Sequence, residues 1–123
     1  MLALGSRIRS VNFTMTCKIV VFSTCSSAEE ARKLAQALVE QRLAACVNVL
    51  GGITSHYRWQ GKLEAAEEFL LVIKSSEALF PLLRTALEQA HSYEVPEVLA
   101  LPVLDGAPNY LRWMDDNLRA EGQ

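Results

Sequence analysis

The residues best able to act together chemically lie in one short stretch, His91-Ser92-Tyr93-Glu94-Val95-Pro96-Glu97. An imidazole and two carboxylates spaced H-x-x-E-x-x-E can converge on one divalent cation. Such nitrogen and oxygen donors suit copper(II) or zinc, with copper favoured by intrinsic affinity. The same stretch also reads as the end of a helix, with His91 against the last carbonyls and Glu94 and Glu97 in water. Cys25 stands just before a helix start. A thiol there is a soft ligand, a thiol of lowered pKa at a helix N-terminus, or a small turn residue. Tyr57 and Trp59 share one strand face, and with Tyr93 and Trp113 they are candidates to line a ligand cleft or to pack an interface. His56 reads as an exposed strand residue and Cys46 as core.

For catalysis the chain offers little. It contains no G-x-S-x-G, no Walker loop, no H-E-x-x-H and no G-x-G-x-x-G. The expectation is a protein that is not an enzyme.

The elements that must position these residues follow from periodicity. Cys17–Thr24 is a short apolar, β-branched strand. Ser26 or Ser27 opens a helix, each with a glutamate three residues on as a capping box requires. Ala28, Ala31, Leu34, Ala35, Leu38 and Val39 form its buried stripe. Cys46–Trp59 and Lys62–Lys74 then read as one long antiparallel hairpin around Gln60-Gly61, with Gly51-Gly52 as a bulge. Ser75-Ser76 offers a second helix cap, and Leu79, Leu82, Leu83, Ala86, Leu87 and Ala90 form a second stripe, with Pro81 in the first turn. The polar 91–97 loop leads to a fourth strand, Val98–Leu104. After a turn at Asp105–Pro108, a short helix, Asn109–Leu118, closes the chain.

The order β-α-β-β-α-β with right-handed crossovers predicts an α+β, ferredoxin-like sandwich with an extra C-terminal helix and a long extended hairpin. Residues 17–123 make one domain behind a tail at 1–16, in which Met15 is an alternative start. At about 3.3 Å per residue each hairpin strand spans roughly 43 Å, against about 35 Å for a compact domain of this length. The hairpin must bend or project. Strands at 19–22 and 69–73 are apolar on both faces, whereas two helices shield only one. Both observations predict that a second copy of the chain covers what is left.

The totals limit the function classes. The 123 residues carry a net charge of −2, and their basic side chains are scattered singly, so no nucleic-acid surface is expected. Hydrophobic residues make up 50%, enough for a core. The apolar run at 98–104 holds Pro102 and is too short to cross a bilayer. Three cysteines without a CxxC spacing point to free thiols in a reducing, cytoplasmic setting.

Several segments together resemble the CutA divalent-cation-tolerance family. They are RLAACVNVL (42–50), ITSHYRWQGKLE (53–64), FLLVIKS (69–75), HSYEVPEVLALPV (91–103) and NYLRWM (109–114). The resemblance implies a ferredoxin-like fold in a homotrimer whose hairpins wrap neighbouring subunits. It implies a role in tolerance to divalent metals, copper above all. His91 is implied as the first metal ligand, then Glu97 and Glu94, in a loop near an inter-subunit cleft beside Tyr57 and Trp59. The architecture is also similar to trimeric PII-type signal proteins, which leaves a regulatory or scaffolding trimer binding a small metabolite or partner protein as an alternative. The chain departs from the family pattern at Ser92 and Ser26, where proline is common, and at Ser23, where some members have a cysteine. Cys25 stands two residues further on, about 7 Å along the same strand face.

Overall fold

A computed structural model describes residues 16–120 of the chain. The tail expected at 1–16 lies outside these residues except for Thr16. Thr16 fastens to the body, its hydroxyl donating to the Val103 carbonyl at 2.5 Å. The elements are β1 (Lys18–Cys25), α1 (Ala28–Glu40), β2 (Cys46–Trp59), β3 (Lys62–Ser76), a 3-10 turn (Glu77–Leu79), α2 (Phe80–Ala90), β4 (Leu99–Pro102) and α3 (Pro108–Asn117). The strands form one antiparallel sheet ordered β2-β3-β1-β4. This is the expected ferredoxin-like order with the extra helix.

Alternation along the strands creates the core. Ile19 and Val21 of β1 and Leu71 and Ile73 of β3 point to the helix-covered side. There they meet Ala31, Leu34 and Leu38 of α1 and Leu83 and Leu87 of α2. Burying such side chains stabilises the fold by about 1.5–3 kcal/mol each. The opposite side is not closed. Val20, Phe22, Leu70 and Val72 are only half-buried, while Leu50, Leu99 and Leu101 on the same side are exposed. The expected apolar second face is therefore present and uncovered by the chain's own helices.

The hairpin is built as the sequence predicts. Gln60 and Gly61 both take positive φ, 50° and 81°, the geometry of a two-residue type I′ turn. The register shifts between Leu50 and Ile53, and Gly52 sits at φ 76° within that bulge. Gly51 serves a different need, because a Cβ there would come within 2.9 Å of the Phe69 ring.

Three expectations change. β4 is shorter than Val98–Leu104, because its partner positions on β1 run only from Ile19 to Phe22. Ser75 does not cap a helix: it is a buried residue of β3, and its hydroxyl donates to the Leu43 carbonyl at 2.6 Å. Cys46 is half-buried rather than core, because it opens the edge strand β2.

The C-terminal helix is fastened at two points. The Lys18 ammonium, itself buried, pairs with Asp115 at 2.7 Å. The Arg42 guanidinium donates to the Asp116 and Asn117 carbonyls at 2.7 and 3.2 Å, satisfying groups a helix end leaves open.

A candidate acidic and aromatic cleft

The 91–97 loop begins as the cap of α2, where the His91 N–H donates to the Leu87 carbonyl at 2.9 Å. Its imidazole then turns inward and is fully buried. Nε2 lies 2.7 Å from the Thr24 carbonyl oxygen, and Nδ1 lies 3.0 Å from the Tyr93 backbone nitrogen. A carbonyl can only accept and an N–H can only donate. These partners therefore require the neutral tautomer with the proton on Nε2. The ring ties the last turn of α2 and the loop to the end of β1.

Glu30 on α1 reinforces this tie. Its carboxylate accepts from the Ser92 backbone N–H at 2.8 Å and from the Ser92 hydroxyl at 2.9 Å. Burial on its own pushes the Glu30 carboxyl up. The two Ser92 donors and the Ser26 backbone outweigh that effect and hold the group below the usual carboxylate range. Glu30 is placed there because Ser27 caps α1, accepting from the Glu30 N–H at 3.1 Å. This is one of the two capping alternatives read from the sequence.

The expected metal ligands do not converge. Both His91 nitrogens are engaged within the chain, and its ring packs on Tyr93 in a tilted arrangement, 4.8 Å between centroids. Cys25 is fully buried as the last residue of β1, with its thiol donating to the Ser27 carbonyl at 3.6 Å. Burial pushes that thiol up, with Glu30 and Glu68 adding to the shift against the opposing Ser27 bond. This is the opposite of the reactive, lowered thiol that a helix N-terminus suggested. Among the described residues no group of three or more His, Cys, Asp or Glu side chains is arranged to hold a metal ion. Within the chain the H-x-x-E-x-x-E stretch does not gather its donors, because the buried imidazole bonds the Thr24 carbonyl of β1 while Glu94 and Glu97 are exposed.

The loop borders a cleft of about 580 Å³ between itself and the far half of the hairpin. The cleft candidates Tyr57, Trp59 and Tyr93 line it. Trp113 does not: it stacks on Tyr110 of α3, 5.4 Å between centroids, outside this lining. Glu94 and Glu97 reach the cleft from the loop.

Five further residues complete the lining, Thr24, Ser55, His56, Glu68 and Val95. Glu68 matters most. It is 7% exposed, and its carboxylate accepts from the Tyr93 hydroxyl at 2.5 Å. Burial, and then this bond to Glu68, push the Tyr93 phenol well up, so it stays a donor. In sequence Glu68 hides in the polar run Glu64-Ala65-Ala66-Glu67-Glu68 and reads as a solvated strand residue. Its one available signal is alternation, since it continues the Leu70 and Val72 face rather than the Leu71 and Ile73 face.

The model of the CutA1 divalent ion tolerance protein family matches residues 19–117. The chain belongs to this family. It is 48% identical over 98 residues to the divalent-cation tolerance protein CutA of Thermus thermophilus, covering 80% of this chain and 95% of that protein. It is 41% identical over 118 residues to the chloroplastic protein CutA of Arabidopsis thaliana, covering 95% of this chain and 65% of that longer protein. Among solved structures, the Thermus thermophilus cation tolerance protein superposes with a TM-score of 0.81 at 46% identity, covering 83% of this chain and 99% of the other. The periplasmic divalent cation tolerance protein CutA of Archaeoglobus fulgidus superposes with a TM-score of 0.81 at 36% identity, with coverage of 83% and 99%. No helix among the described residues is long and apolar enough to cross a membrane.

Proposed function

We propose that the chain is a non-enzymatic, cytoplasmic homotrimer of divalent-cation tolerance, and that its cation-binding surface is the cleft between the hairpin and the 91–97 loop. One observation carries this reading. Glu68, Glu94 and Glu97 border a single cleft, and none of them has an ion-pair partner among the described residues. Carboxylates gathered without counter-charges favour a cation by Coulomb attraction.

The donors differ from those the sequence suggested. Glu94 and Glu97 supply oxygens, and His91 positions the loop that carries them. One chain does not complete a metal site, so the remaining donors come from a second copy. The uncovered apolar sheet face supports assembly, since exposed patches of that kind mark interaction surfaces. Three free cysteines support a reducing compartment.

Native mass spectrometry with one equivalent of copper(II) per chain tests this. The expected result is a trimer carrying copper that the double variant Glu94→Gln/Glu97→Gln loses without losing the trimer. Copper retained by the double variant, or no copper on the wild type, overturns the metal reading. A monomer overturns the assembly. The second reading, a PII-like trimer holding a small metabolite, is favoured by the three aromatic rings in the cleft, which a metal ion alone does not use.

A further inference from the structure

The lining of the cleft is specific about the class of ligand. Its charged members are all carboxylates, Glu68, Glu94 and Glu97, and it includes no Lys or Arg. His56 is the one imidazole in the lining, and the three carboxylates set a field that favours a cation over an anionic metabolite. At about 580 Å³ the space is of small-molecule size, far beyond one ion. Its walls include Tyr57, Trp59 and Tyr93, and the first two are 44% and 41% exposed within the single chain. Aromatic faces attract organic cations and contact their CH groups. A hydrated metal ion gains little from them.

Glu68 adds position. It sits almost wholly buried on the hairpin wall, oriented by the Tyr93 hydroxyl on Oε2. A carboxylate held in this way accepts charge-assisted hydrogen bonds from an ammonium group with little reorganisation. Glu94 and Glu97 stand across the opening on the loop, where they can receive a second charge.

We infer that this cleft binds an organic ammonium ion, a linear aliphatic diamine or polyamine, with one ammonium at Glu68, its methylene chain along Tyr57 and Trp59, and the other at Glu94 and Glu97. The inference rests on the reading of this cleft as the ligand site, and it names the ligand class.

The chain has two tryptophans, so Trp113→Phe leaves Trp59 as the sole fluorescent reporter inside the cleft. The full-length variant is titrated with putrescine and with spermidine, and copper(II) and ATP are titrated in parallel by calorimetry. The expected result is a saturable change in Trp59 emission with the amines, weakened at least tenfold by Glu68→Gln and reduced by added salt. ATP is expected to bind nowhere in the cleft. If Glu68→Gln does not fold by circular dichroism, the exposed Glu97→Gln replaces it, with a smaller weakening expected.

No saturable response to either amine overturns the inference, as does a response that both carboxylate variants leave unchanged. Amine binding without copper binding upholds the inference and removes the metal reading. Copper binding without amine binding does the reverse. ATP binding that displaces the amine signal overturns the assignment of ligand charge.

Discussion

The two sides of the 91–97 loop carry similar residue types and behave in opposite ways. On the inner side the imidazole bonds the Thr24 carbonyl and the Tyr93 N–H, and Glu30 accepts from both Ser92 donors. On the outer side Glu94 and Glu97 face the cleft with no counter-charge among the described residues. The difference separates what holds the loop from what the loop presents. A buried polar network must be complete, because each unsatisfied member costs about 1–3 kcal/mol. A ligand surface must be incomplete until the ligand arrives.

The sharpest break of this contrast is His91→Ala. It orphans the Thr24 carbonyl and the Tyr93 N–H and leaves a cavity, so a loss of about 2–4 kcal/mol is expected in urea unfolding. A loss below about 0.5 kcal/mol would show that the ring is not a structural tie. Tyr93→Phe is next. It leaves the buried Glu68 carboxylate without its donor, at an expected cost of about 1–3 kcal/mol. The melting midpoint of this variant beside that of Glu94→Gln checks the order, since the exposed Glu94→Gln is expected within about 0.5 kcal/mol of wild type.

Acid acts on the inner side through Glu30. Its folded pKa is depressed, so the stability it adds is fully present above the ordinary carboxylate value of about 4.3 and is lost as pH falls through the folded value. Glu30→Gln is expected to lower the melting temperature at pH 7 and to narrow the gap to wild type at pH 3. An equal gap at both pH values would remove Glu30 from the tie.

The smallest effect concerns Ser23. It is fully buried, and its hydroxyl finds no partner among the described residues. An orphan hydroxyl costs free energy, so Ser23→Ala is expected to be neutral or to stabilise by up to about 1 kcal/mol. A clear loss in thermal unfolding would mean that the hydroxyl has a partner in the assembled protein.

Much of the fold was legible because short-range rules govern it. The stripe of α1 follows the helical period, and the Gln60-Gly61 turn needs two positive φ values. The site was legible only in part. Tyr57, Trp59, Tyr93, Glu94 and Glu97 were named from residue type and found together at the cleft. His91 and Cys25 were named on the same grounds and found turned into the structure. Trp113 was found on another surface, and Glu68 was not singled out.

The sequence by itself determined the element order, the hairpin with its bulge, the helix faces and the family, because each depends on neighbours within a few residues or on an extended match. Only the tertiary structure decided which way each polar group of the loop faces. That depends on a carbonyl of β1 67 residues from His91 and a carboxylate of α1 62 residues from Ser92. Local spacing carries no record of partners that distant, and a side chain's chemistry depends on which of them it meets.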